Sequence, residues 1–332
     1  MCIRDRFSRY TLENFVEKFN SNSCAMAKII FFTFCLFKLN SQSIDSLYKI
    51  HAESGLDHLL QQNWSPCLEG YLKAIEISGH SVLAHLRAAS CAHMMGHKDM
   101  RNRLLRTAAE IDWEVCMQIT KYRNKFPEFD SLLKSGYLDT VTIYYTHSAT
   151  QAGINVPLMK ELEKIYYDDQ LFRIKLDSFG YRNTSPEYQK FIHNGEAMDS
   201  INLMKIERII REVGYPGKSM VGRAMAGTTW LIIQHSALEI QEKYLPVIEA
   251  AAHKNEIDKG DWAYLVDRIN MRKNLPQVYG SQLIRDRQSG KWIFYQIMDE
   301  KNVDKRRREV GLPSLEDYAR IMGVEWKISL ID

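Results

Sequence analysis

Apolar residues recur at helical spacing along most of the chain, and they do so in two blocks. In the first, over residues 44–138, Trp64, Leu68, Tyr71, Leu72 and Ile75 share one face of a helix. Leu83, Leu86, Ala89 and Met94 continue the pattern up to Gly96, and "HKDMRNRLLRTAAEIDW" supplies a third stripe. The stretch "DTVTIYYTHSATQAGINVP" reads as a linker over residues 139–156. The second block starts at Pro157, which suits a first helical turn, and carries Leu158, Leu162 and Ile165. The polar segment around "YRNTSPEYQKFIHNGE" reads as a break before a helix over 201–213, which Gly214, Pro216 and Gly217 stop. Two longer stripes follow, in "GTTWLIIQHSALEIQEKYLPVIEAAAHKN" and in "DWAYLVDRINMRKN", where Asp258 and Asp261 bracket the start like a capping box. "NVDKRRREVGLPSLEDYARIMG" reads as two short helices capped by Asn302 and Ser314. Only around "RQSG" does the period fall to two, which predicts a small hairpin. The fold class expected is predominantly α: a helical-repeat-like N-terminal region, then an α-helical C-terminal domain over 157–325 with one small β-hairpin.

The 332 residues allow one large or two smaller domains, and the 45% hydrophobic and 26% charged composition is that of a globular chain. A net charge of +3 is too mild for a nucleic-acid partner, which calls for a concentrated basic face. The one dense basic run, "DKRRR", reads either as a solvated helix face or, through Arg306 or Arg307, as an anion clamp. Near the start, "MCIRDR" resembles a translated sequencing adaptor, so residues 1–25 read as a non-native leader and Met26 as the natural start. From Met26, Lys28 and the apolar run 29–37, with Ser41 and Ser43 behind it, read as a signal peptide over 26–43. Lys38 ends that run well short of the roughly 20 apolar residues that a membrane span needs. The expected setting is therefore extracytoplasmic, periplasmic or secreted, with no transmembrane span. Cys67, Cys91 and Cys116 lie in apolar helical stretches and read as small free hydrophobes, with no disulfide framework and no metal site. His93 and His97 are four apart, but Met94 stands where a zinc-protease motif has Glu.

Candidate chemistry gathers in the second block. Asp169 and Arg173 form a favourable helix pair, worth about 0.3–0.5 kcal/mol if solvated. Gln277, Tyr279 and Gln282 in "LPQVYGSQ" sit where a helix hands over to the hairpin. Their amides either tie down irregular backbone or line a polar pocket with Asp169, Gln170, Arg173, His235, Asp267 and Arg268, with Arg307 near by. Such planar hydrogen-bonding groups suit a polar small molecule, sugar, carboxylate or peptide. His235 either is a hydrogen-bonded core residue or acts as a general acid–base, its ring oriented by Asp169 or Asp267 while Arg268 steadies negative charge. No glycine-rich phosphate loop, nucleophile elbow or metal triad is present in the sequence, so no cofactor is expected.

"DDQLFR", "GYPGKSMVG", "WLIIQHS", "YLVDR", "QVYGSQ" and "NVDKRRREVGLPSLEDY" occur in the order found in an uncharacterised bacterial domain family of unknown function, which residues 158–322 resemble. That family often has Ala-Asp after the Gln-His pair, where this chain has Ser236 and Ala237. The resemblance implies candidate positions and no activity. The first block resembles tetratricopeptide repeats: Trp64 and Tyr71 have the separation of that motif, although His80 stands where a small residue belongs. That resemblance implies a scaffold for another protein. The leading expectation is binding of a polar small ligand or peptide through the C-terminal domain. The alternative is a hydrolase-like enzyme that uses His235.

Overall fold

Helical periodicity becomes helix almost throughout. In the computed structural model, residues 34–121, 126–132, 134–179 and 185–326 are described, and the chain divides into two units between Val156 and Pro157. Residues 1–33, which hold the leader and the first part of the signal segment, lie outside the described residues; residues 34–43 open the first described helix.

The N-terminal unit contains α1 (Phe34–Leu60), α2 (Trp64–Ile77), α3 (Val82–Met94), α4 (Lys98–Lys121) and α5 (Tyr137–Gln151), each packed on the next. Helix α5 corrects the expected linker. Tyr137, Val141, Tyr145 and Ala149 recur every four residues and are all buried. The threonines between them lower helix propensity, but burial of that stripe decides the outcome. Thr140, Thr142 and Thr150 also turn their hydroxyls back onto the carbonyl four residues earlier. The cysteines need a second correction. Cys67 on α2 and Cys91 on α3 form a disulfide with Cα atoms 6.4 Å apart, while Cys116 is free and buried. The facing sides of adjacent helices bring together two cysteines that are 24 residues apart in sequence.

The C-terminal unit begins with α6 (Val156–Phe179) and α7 (Pro186–Val213). The short helices α8 (Lys218–Val221) and α9 (Arg223–Ala226) lead into α10 (Thr228–His235), α11 (Leu238–His253) and α12 (Lys259–Arg272). Strands β1 (Leu283–Arg285) and β2 (Trp292–Phe294) pair antiparallel with Ile284 opposite Ile293, and α13 (Val303–Glu309) and α14 (Leu315–Met322) follow. Leu315, Tyr318 and Met322 of α14 close a core with Ile297 and Val303. Every residue of α10 up to Gln234 is buried, the polar Thr228, Thr229 and Gln234 included. Among the described residues no helix is long and apolar enough to cross a membrane.

Three local expectations fail for stated reasons. Helix α7 starts fifteen residues before 201, because the Ser185 hydroxyl accepts from Tyr188 N–H and Pro186 fits the first turn. The Asp258 carboxylate makes no cap; it takes the Lys218 ammonium at 2.6 Å. The Asn302 amide donates to the Asp299 carboxylate at 2.9 Å and leaves its helix uncapped by a side chain. Ser314 does cap, accepting from Asp317 N–H at 3.1 Å.

Gly195 of α7 packs against Phe172 of α6. A Cβ there would stand 1.9 Å from the Phe172 ring. Gly195→Ala is therefore expected to destabilise the protein by about 1–3 kcal/mol through overpacking. Urea melting checks this, and Phe172→Leu in the same chain should recover part of the loss.

Candidate functional site

Two polar networks occupy the C-terminal unit, and α12 contributes to both. The first encloses the loop of residues 277–282. Its ends pair with backbone, Gln277 in a parallel bridge to Ile297 and Gln282 O with Tyr295 N–H, but residues 278–281 belong to neither a helix nor a ladder, so their N–H and C=O groups need partners from elsewhere. Asp267 on α12 takes three of the N–H groups: Val278 and Tyr279 at 2.6 and 2.9 Å on Oδ1, and Ser281 at 2.9 Å on Oδ2. Gln277 reaches across the loop, accepting from Gln282 N–H at 2.7 Å and donating to the Gln282 carbonyl at 3.1 Å. Arginines from α13 serve the other carbonyls. Arg306 donates to Val278 O at 2.8 Å and Arg307 to Tyr279 O at 2.6 Å, while the Tyr318 hydroxyl donates to Ser281 O at 3.0 Å. Gly280 sits at φ +67°, which glycine adopts without strain.

Five of the sequence-derived site residues thus meet here: Asp267, Gln277, Tyr279, Gln282 and Arg307. Their contacts hold the chain's own backbone. Gln282 donates to the Ser281 hydroxyl at 3.0 Å, and the Tyr279 ring packs edge-on to Trp262 in a small core with Ala263 and Val310. Burial pushes the Asp267 carboxyl above its ordinary range, against the pull of its backbone N–H donors. Arg306 and Arg307 clamp carbonyls in place of an anion, and the Arg307 guanidinium lies 4.9 Å over the Tyr318 ring.

The second network surrounds His235, the last residue of α10. Its Nδ1 lies 2.9 Å from Asp169 Oδ1, and the Asp169 side chain is 1% exposed. Gln170 donates to the other Asp169 oxygen at 2.8 Å. Arg173 bridges two carboxylates, with Asp169 at 3.1 Å and Asp199 of α7 at 2.7 Å. The Asp169–Arg173 pair lies within α6 with its carboxylate buried, and Arg173 carries it across to Asp199 of α7, so it is not the solvated pair considered from the sequence. Asp169, and not Asp267, orients the imidazole. Burial drives the Asp169 carboxyl up, but the hydrogen bond and charge of His235, with Arg173 and Gln170, outweigh it and hold the group below its ordinary range. Asp199 goes the other way: burial raises it, and Arg173 offsets only part of that rise.

The carbonyls at the end of α10 have no partner within the helix, and side chains of α11 and α12 supply them. Gln241 and Arg268 donate to Gln234 O at 2.6 and 3.5 Å, and Arg272 donates to Ser236 O at 2.7 Å. Arg268 therefore helps to set where His235 stands. The structure brings Asp169, Gln170, Arg173, His235 and Arg268 together. Asp199 is not among the residues that the sequence singles out, because the helix expected there starts only at 201. Its signal was the helical register with Asn202, Ile206 and Ile209, all of which are buried on α7.

These elements fall within a stretch with relatives. A family model described as a family of unknown function (DUF6624) matches residues 157–329. That is just over half of the chain, and the chain belongs to this family. Comparison with curated proteins finds no match, and neither does comparison with solved structures.

Asp267→Asn leaves one acceptor oxygen where three N–H groups converge, and places an NH2 against at least one of them. The expected cost is roughly 2–4 kcal/mol from buried donors without partners. That is a drop in Tm of roughly 2–4 °C per kcal/mol, read by thermal melting. For Asp169 the sign is the usual one for a depressed carboxylate. Its contribution is full above the unfolded value of about 3.9 and is lost as pH falls through the folded one. Stability of the parent should therefore fall away below about pH 4, and Asp169→Asn should flatten that part of a pH–stability curve.

Proposed function

We propose that the C-terminal domain holds a polar small molecule or peptide at the Asp169–Arg173–His235 network. The observation that carries this is the 2.9 Å contact between His235 and a buried carboxylate. An imidazole fixed through one nitrogen presents the other in a set direction. The network also reaches the surface: the Asp199 side chain is 33% exposed and Arg173 16%. The loop network of Asp267, Gln277, Gln282 and Arg307 supports the site from behind, by fixing the α12 helix whose Arg268 holds the end of α10.

A second reading makes the domain a hydrolase-like enzyme with His235 as general acid–base. It is favoured by the opposed carboxylates: Asp169 is held low and Asp199 is pushed up around one guanidinium. Two carboxyls separated in this way are suited to different protonation roles. We further propose an extracytoplasmic setting, with residues 26–43 as signal peptide and the N-terminal helices as a scaffold for another protein. The Cys67–Cys91 disulfide supports that setting, since disulfides persist in oxidising compartments. N-terminal sequencing of exported protein should then begin near Ile44; retention of 26–43 on mature protein would overturn it.

His235→Gln tests the site. Gln keeps hydrogen bonding and removes the titratable ring. The variant should melt within a few degrees of the parent and lose every ligand-induced shift that the parent shows in a thermal screen of sugars, amino acids, short peptides and carboxylic acids. A large fall in melting temperature with the ligand response intact would make His235 a structural residue.

A further inference from the structure

Helix α7 turns one face inward, carrying Gly195, Asp199, Asn202, Ile206 and Ile209 at helical spacing. Gly195 packs on Phe172 and Asp199 holds Arg173, so this face is the one that meets the His235 network. Helix α7 also packs directly on α10. Asn202 stands one turn beyond Asp199, about 4.5 Å along the axis. It is fully buried, and among the described residues neither its Oδ1 nor its Nδ2 has a hydrogen-bond partner. A buried amide with no partner is a standing cost to the folded chain, and such groups are rare unless something else pairs with them. The Arg173 Nε–H, also buried, has no partner among the described residues.

We propose that Asn202 is the recognition residue of this site and that its amide selects a neutral carboxamide or peptide group. The inference rests on the polar-ligand reading above and names its ligand class. An Asn side chain offers a donor and an acceptor side by side. Its complement must accept and donate in the same plane, as an amide does; a carboxylate only accepts. The Arg173 Nε–H supplies a further donor for the ligand carbonyl. The Asp199 side chain, one turn away, is partly exposed.

The test uses the full chain, with N-acetylglycinamide and 2-pyrrolidinone as amide probes and acetate as the control, read by ligand-observed NMR and by melting temperature. Both amides should bind the parent and acetate should not. Asn202→Leu should weaken amide binding about tenfold or more, the consequence of removing the group that pairs with the ligand's polar atoms. It should also melt no lower than the parent, because no internal partner is lost. If Leu prevents folding, Asn202→Ala serves the same comparison. The proposal falls if no amide binds the parent, if acetate binds with the same dependence on Asn202, if the variant binds amides as the parent does, or if a folded variant melts well below the parent. His235→Gln separates the two claims. Amide binding that is lost in Asn202→Leu and kept in His235→Gln would uphold the amide site and remove His235 from it.

Discussion

A buried stretch of backbone without regular secondary structure has to find hydrogen-bond partners, and in the C-terminal unit that requirement organises much else. Residues 278–281 lie between α12, α13 and α14 with no ladder to satisfy them, while Gln277 and Gln282 on either side pair with the backbone of 295–298. Asp267 takes the N–H groups and Arg306, Arg307 and Tyr318 take the carbonyls, with Gln277 closing the loop on itself. An acid therefore faces the donor side of the loop and bases face the acceptor side. Asp267 and Arg307 are thus matched by peptide dipoles and not by each other, while Arg306 also pairs with the Asp299 carboxylate at 3.5 Å.

Helix α12 links this loop to the candidate site. Successive residues on a helix point about 100° apart, so Asp267 and Arg268 serve different neighbours. Asp267 faces the loop, while Arg268, with Arg272 one turn on, reaches the carbonyl end of α10. Cations at a helix C-terminus are favoured by the dipole as well as by the open carbonyls. His235 occupies that same end, and the placement of its ring depends on α6 through Asp169 and on α12 through the end of α10. The site is built where three helices converge, on rigid elements and not on a mobile loop.

The cluster around His235 is costly in isolation and consistent as a whole. Asp169 and His235 are withdrawn from water, Arg173 and Asp199 only partly, and the carboxylates and the guanidinium each have an opposite partner within the cluster. Arg173 joins α6 to α7 through Asp199, and Asp169 joins α6 to α10 through His235. The polar contacts thus fix helix positions that apolar packing alone leaves free to slide. Asn202 departs from this economy: it is as buried as its neighbours and unpaired among the described residues.

Much of the architecture was legible in the chain itself, because helix, cap and hairpin are set by residues near in sequence. Stripes three and four apart gave the helices, and "RQSG" gave the hairpin turn. The residues Asp169, Arg173 and His235 stood out as chemistry-bearing types in motif-like surroundings, and the alternative role for Gln277 and Gln282 as ties for irregular backbone was stated from their amides alone. What the sequence left open depended on contacts between distant segments. The 137–151 stretch looked like a linker because its threonines and polar residues obscure a four-residue stripe that only burial makes decisive. Asp199 was hidden because the start of α7 was not recognised, and Cys67 and Cys91 looked unrelated until α2 and α3 faced each other. Whether Asp169 or Asp267 oriented His235 lay equally beyond local pattern. Both are carboxylates on amphipathic helices, and only the packing of α6 and α12 against their neighbours turns one to the imidazole and the other to the loop.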